Sequence, residues 1–216
     1  MTSSDMDEYY AVRADEYEQV YANPERQGDL ERLRHHLSGL FANRSVLEIA
    51  CGTGYWTQVI ALTARTVHAV DRSDDVLAIA RRKALSADKV GFARADAMKL
   101  PQDLGKFDAA FAGFWWSHIP VLQQGAFLST LHAHLHRGAR VALLDNLYVE
   151  GSSTPIARRS ADGDGYQIRS VRDGRRFEVL KNFPSEAELR NSLRGVATGP
   201  QYLEFGHYWL LTYEAS

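Results

Sequence analysis

Apolar positions along the 216-residue chain follow two alternating rhythms. Short dense runs, Val46 to Ile49, Thr66 to Val70, Val90 to Ala95, Phe107 to Ala112 and Ala139 to Leu144, read as buried strands. Segments with apolar residues three and four apart stand between or before them and read as helices lying on a sheet. Glu25 to Leu40 carries Leu30, Leu33, Leu37 and Leu40; Asp74 to Leu85, behind a Ser73 cap, carries Val76, Leu77, Ala80 and Leu85; Val121 to Leu135 is a third. A shorter amphipathic run, Thr57 to Leu62, follows the first strand. The alternation predicts parallel strands with right-handed crossovers and ligands at their carboxyl ends.

From Leu147 to Phe183 this rhythm stops. Gly151 to Pro155 is rich in turn residues, and Tyr166 to Val171 and Arg175 to Lys181 flank Arg172-Asp173-Gly174 as a β-hairpin inserted over the carboxyl ends. A helix from Pro184 to Leu193 and an antiparallel pair, Gln201 to Phe205 with Tyr208 to Tyr213, close the chain. At the other end, Tyr9, Tyr10, Tyr17 and Tyr21 share helical spacing, which suits either a helix stapled to the core or a lid.

The first strand breaks abruptly into Ala50-Cys51-Gly52-Thr53-Gly54-Tyr55-Trp56. Glycines at 52 and 54 allow backbone angles that a Cβ forbids and let a ligand lie against the main chain. Asp71, at the end of the second strand, has the spacing at which such folds hold a ribose. A dinucleotide fingerprint wants a third small residue three positions after Gly54, and Thr57 stands there. A nicotinamide-dependent oxidoreductase is thereby disfavoured.

Glu48-x-Ala50-x-Gly52-x-Gly54 instead resembles motif I of class I S-adenosyl-L-methionine (SAM) methyltransferases, with Ala50 in place of the usual first glycine. The resemblance implies a Rossmann-like α/β fold: a seven-stranded sheet, helices on both faces, and the hairpin inserted after the fifth strand. It implies SAM as cofactor and S-adenosyl-L-homocysteine (SAH) as product. The cofactor residues it implies are Tyr9, Tyr17, Glu48, Ala50, Gly52, Gly54, Tyr55, Trp56, Asp71, Arg72, Asp96, Ala97 and Phe114. Asp96 would accept from the adenine amino group, or else cap a turn. Tyr9-Tyr10-x-x-Arg13-Ala14-x-Glu16-Tyr17, His118-x-Pro120 and Arg172-Asp173-Gly174-Arg175-x-Phe177 with Lys181 look most similar to phosphonate O-methyltransferases of the dehydrophos type.

Candidate chemistry gathers after the fourth strand. His118 is expected to act as base or to orient the acceptor, with a pKa close to operating pH. Tyr10, Tyr21, Trp115, His118, Arg169 and Lys181 are the expected acceptor residues; Arg169 and Lys181 are singled out from the hairpin cations as anion ligands. Asp145-Asn146 resembles the magnesium pair of catechol-type enzymes, but Gly113 and Phe114 stand where those need an Asp, so no metal is expected. No Asn/Asp-Pro-Pro-Tyr motif follows the fourth strand, which sets aside exocyclic-amine methylation.

A net charge of −2 disfavours non-specific nucleic-acid binding, and the single cysteine forms no internal disulfide. The length suits one domain (1–216), divided into N-terminal lid and helices (1–42), SAM core (43–146), hairpin (147–183) and closing elements (184–216). With no long apolar run and no signal pattern, a cytoplasmic monomer or homodimer that binds no membrane is expected. The expected reaction is methylation of a small anionic metabolite at a phosphonate or carboxylate oxygen. A neutral or amine acceptor, or SAM binding without catalysis, stands as the alternative.

Overall fold

The computed structural model describes Tyr9, Val12 and residues 14–216, the last set without the side chains of residues 14–17. Ten strands are defined among these residues. Seven form one sheet in the order β3-β2-β1-β4-β5-β10-β9: β1 (Ser45–Ile49), β2 (Thr66–Asp71), β3 (Val90–Arg94), β4 (Phe107–Gly113), β5 (Leu135–Asn146), β9 (Ala197–Phe205) and β10 (Tyr208–Ala215). The first five are mutually parallel; β10 runs antiparallel to both β5 and β9. Strand order reverses between β1 and β4, which opens a crevice at their carboxyl ends.

Period-two alternation divides the apolar side chains between two layers. Val46, Ala109, Phe111, Ala142, Leu144 and Leu210 face α1 (Gln27–Phe41) and α2 (Tyr55–Ala61), meeting Leu30, Leu33, Leu37, Trp56 and Ile60. Leu47, Ile49, Ala110, Val141, Leu143 and Trp209 face the opposite way, onto Phe127, Leu128 and Leu131 of α4 (Gln124–His132) and Leu189 of α5 (Glu186–Ser192). The remaining helix, α3 (Asp74–Arg81), contributes Leu77 to the first layer.

Several boundaries differ from the periodic reading. The helix expected to reach Leu85 ends at Arg81, and Leu85 still packs on the core from the following loop. The helix expected over 121–135 begins as a 3-10 turn, Val121–Gln123, and ends at His132, because Leu135 starts β5. Ser73 stands at the N-cap of α3 without a side-chain bond; its N–H donates instead to Asp71 Oδ1 at 2.9 Å. Ser185 does make the full capping box with Glu188.

The insertion holds a small sheet of its own, β6 (Arg158–Arg159), β7 (Gly165–Ser170) and β8 (Arg176–Leu180), one strand more than the expected hairpin. Its base is bolted to the segment after β4. Asn182 N–H donates to Ser117 O at 2.8 Å, Asn182 Nδ2 to Asp164 Oδ1 at 3.0 Å, and Val121 N–H to the same carboxylate oxygen at 2.8 Å.

Candidate functional site

Two neighbouring sub-sites lie at the carboxyl ends of the central strands. The first is the loop after β1. Gly52 (φ 54°) and Gly54 (φ 77°) take left-handed angles, and a Cβ on Gly54 would come within 3.1 Å of the Ala80 Cβ. Ala50 is also left-handed at φ 52°, a conformation disfavoured by about 1–2 kcal/mol for a residue with a Cβ. Asp71 holds this loop: its Oδ2 accepts the Gly52 N–H at 2.9 Å while Oδ1 takes Ser73. Burial raises its pKa, and these backbone donors partly offset the rise.

Below the loop, Glu48 is fully buried between β2 and β4. Burial pushes its carboxyl up to about 8; Thr57 only partly offsets this and Asp71 adds to it. Glu48 is therefore protonated at neutral pH. Trp56 lies in the first apolar layer. Tyr55 stacks on Tyr21, ring centroids 3.8 Å apart, and its hydroxyl accepts from Arg34 at 2.5 Å. Farther out, the exposed Asp96 caps a turn by accepting the Met98 N–H at 2.9 Å, Ala97 is buried, and Arg72 O accepts from Arg94 Nε at 3.0 Å.

The 3-10 segment Ala14–Tyr21 reaches the loop through Glu18. Glu18 Oε1 accepts from Thr53 Oγ1 at 2.7 Å and from Lys83 Nζ at 2.6 Å. Tyr9, expected over the cofactor, packs against Val171, Val179 and the Phe177 ring of the inserted sheet and lines the cavity described next. Tyr10 lies outside the described residues, as does the side chain of Tyr17.

The second sub-site is a cavity of about 160 Å3 between the inserted sheet and the ends of β5 and β10. The inserted sheet and its exit contribute Gln167, Arg169, Val179 and Lys181, the ends of β5 and β10 with their connections Asn146, His207 and Tyr208, and the start of α1 Arg26; Tyr21, Phe114 and His118 also line it. Among the described residues, no aspartate or glutamate lines it. Trp115, expected here, is absent from the lining: left-handed Phe114 (φ 57°) reverses the chain, and Trp115 packs near Phe127 on the far layer.

Lys181 is more constrained than an open anion ligand. Its Nζ donates to Asp145 Oδ1 at 2.8 Å, Ser117 Oγ at 2.7 Å and Asn146 Oδ1 at 3.0 Å, and both members of the ion pair are buried. Burial opposes the charge on Asp145, yet Lys181 and the Ser117 N–H hold its pKa below the ordinary value. Burial also lowers the Lys181 pKa, and Asp145 opposes that fall. Nothing in the local sequence joins Asp145 to Lys181; the matching burial of two opposite charges is visible only in three dimensions.

Arg169 forks both Nε (3.0 Å) and a terminal nitrogen (2.6 Å) onto Gln167 Oε1, and Gln167 Nε2 donates in turn to Thr154 O. His118 Nδ1 lies 2.7 Å from Leu180 O, which makes Nδ1 the protonated nitrogen. Burial, with Lys181 beside it, pushes the His118 pKa down to about 3, well away from the expected operating range. The imidazole is neutral. Among the described residues no cluster of His, Cys, Asp or Glu has the makings of a metal site, and no helix is long and apolar enough to cross a membrane.

Comparison with known proteins bears on this geometry. Residues 46–138 match the methyltransferase domain family. Curated relatives include demethylmenaquinone methyltransferases of Clavibacter sepedonicus (31% identical over 121 residues, 56% of this chain and 47% of the relative) and Lactiplantibacillus plantarum (33% over 112 residues, 49% and 46%). The chain thus spans about half the length of the curated relatives it matches. Among solved structures, the DhpI–SAH complex is 29% identical, covers 99% of this chain and 96% of that one, and superposes with a TM-score of 0.79. The DhpI–SAM–HEP complex gives 28%, 99%, 100% and 0.78. PH0226 of Pyrococcus horikoshii OT3, at 20% identity and a TM-score of 0.74 over 93% of this chain and 99% of that one, shares the fold. The chain carries a methyltransferase domain within the fold of the class I SAM-dependent methyltransferases.

Proposed function

We propose that this chain transfers a methyl group from SAM to an oxygen of a small anionic acceptor, a phosphonate or a carboxylate. The observation that carries the reading is the cavity itself: among the described residues, Arg26, Arg169 and Lys181 line it and no carboxylate does. DhpI, similar over nearly the whole chain, is a phosphonate O-methyltransferase.

The loop after β1 suits SAM. Left-handed Gly52 and Gly54 leave main chain bare of side chains, and Asp71 stands at the end of the next strand, where a ribose is held. When bound there, SAM supplies an activated methyl group and leaves as SAH. The chain's own residues then have to hold the acceptor oxygen in line, and such alignment supplies on the order of 7–11 kcal/mol of rate enhancement. Arg169, with Nε and one terminal nitrogen held on Gln167 Oε1, keeps its remaining N–H groups for the anion, while Lys181 spends its N–H groups on Asp145, Ser117 and Asn146 and lines the cavity as half of an ion pair.

A neutral His118 with a pKa near 3 is a poor base for a phenol or a protonated amine. An acceptor oxygen that is already ionised needs no base, and the bare Nε2 of His118, able only to accept, leaves the orientation of that oxygen to the cations of the cavity. The test is SAH release across phosphonates, carboxylates, phenols and amines, with parent and Arg169→Ala. Turnover is expected on the anions, and Arg169→Ala should lower their kcat/KM roughly 10- to 150-fold with SAH affinity unchanged. Preferred turnover of phenols or amines would refute the anionic reading.

A further inference from the structure

Resting on the anionic-acceptor reading, we infer that Arg26 is a second anion-binding residue, which reaches the acceptor from the start of α1 and selects a tetrahedral phosphonate over a planar carboxylate. Arg26 follows the 3-10 turn Pro24–Arg26, whose entry is fixed by Asn23 Oδ1 accepting the Glu25 N–H at 3.0 Å, and it stands at the N-cap of α1. Its backbone is therefore rigid. The guanidinium lies over the Tyr208 ring, 6.0 Å from the centroid. A long 3.4 Å contact joins a terminal nitrogen to Ser152 Oγ on the loop that rims the cavity.

What Arg26 lacks is a counter-charge. The nearest buried acid on its own helix, Asp29, is occupied by Arg32 at 2.6 Å and by the His207 ring at 3.0 Å. Among the described residues, no ion pair joins Arg26 to a carboxylate and no carboxylate lines the cavity it faces. Its Nε is buried with no hydrogen-bond partner. A half-buried guanidinium in that state is stabilised by whatever anion the cavity receives.

Geometry then narrows the anion. Arg169 reaches the cavity from β7 and Arg26 from the start of α1, two separate elements. A carboxylate offers two oxygens in one plane on one side of its carbon; a phosphonate offers three, spread tetrahedrally. Two guanidinium groups carried by separate elements suit three spread oxygens better than two in one plane.

The test uses the SAH-loaded protein with methylphosphonate and acetate as probes in calorimetry, for the parent, Arg26→Gln, and Arg26→Lys. In Arg26→Gln, methylphosphonate binding should weaken roughly 10- to 100-fold and acetate binding less than about threefold, with SAH affinity and melting midpoint held. Arg26→Lys keeps the charge without the fork and should fall between. If the parent binds methylphosphonate and Arg26→Gln binds it within about twofold, the role of Arg26 is overturned and the anionic reading survives. Equal weakening of methylphosphonate, acetate and SAH overturns it too, as a packing role. Should the parent bind neither anion, both readings fall together.

Discussion

Two buried carboxylates mark the two halves of the site and behave in opposite ways. Glu48, on β1 under the glycine loop, has no cation near it and keeps its proton to about pH 8. Asp145, on β5 under the acceptor cavity, is as deeply buried, but Lys181 and the Ser117 N–H keep it ionised. Depth of burial is the same; the partner decides the charge. The cofactor half is accordingly built with a neutral floor of local origin, and the acceptor half with a charged floor assembled across the insertion.

The largest expected effect comes from breaking the charged floor. Lys181→Met leaves Asp145 buried without its cation and should destabilise the fold by about 3–5 kcal/mol, read as a denaturant midpoint. The double variant Lys181→Met/Asp145→Asn should recover much of that loss. If the single variant is no less stable than the double, the ion pair is not what joins hairpin to sheet.

The neutral floor is probed by pH. Below the unperturbed value of 4.5, Glu48 is protonated in both folded and unfolded chains; above it, the unfolded chain releases the proton while the folded one retains it to about 8. Its stabilising contribution is thus full below pH 4.5 and is lost as pH rises through 8, up to about 5 kcal/mol in all. Glu48→Gln should remove this slope. A parent stability curve that rises between pH 5 and 8 at least as steeply as that of Glu48→Gln would reverse the assignment.

Smaller effects follow at the loop. Asp71→Ala removes both the brace on Gly52 and the expected ribose contact, and should weaken SAH binding by roughly 1.5–3 kcal/mol in calorimetry. Unchanged affinity with an intact fold would move the cofactor elsewhere. The smallest change is expected from Glu18→Gln, which loosens the link from the N-terminal segment to Thr53 and Lys83. SAH release followed by stopped flow should accelerate by about two- to fivefold, while acceptor binding to the SAH complex stays the same.

The cofactor half was the more legible because its parts are close in sequence. Val46 to Trp56 is one uninterrupted strand, loop and helix, and Asp71 follows at the end of the very next strand, so period, glycines and one acid suffice to place them. Ala50 shows the limit even there: its left-handed backbone is imposed by the turn and has no signal in its residue type. Arg169 and Lys181 were legible as cations on an inserted hairpin, and both do face the cavity. Their partners were not. His118 meets Leu180 across 62 residues of chain, Lys181 meets Ser117 across 64, and Arg26 meets Ser152 across 126.

By itself the sequence determined the order of strands and helices, the two apolar faces of each strand and the bare glycine loop, because periodicity and backbone permissiveness are local properties of the chain. Only the tertiary structure decided which charges are real. Whether His118 is a base, whether Lys181 is open or paired, and whether Arg26 has a counter-ion depend on burial and on neighbours brought from other segments. Electrostatic energies in a desolvated site follow those distances and not positions along the chain.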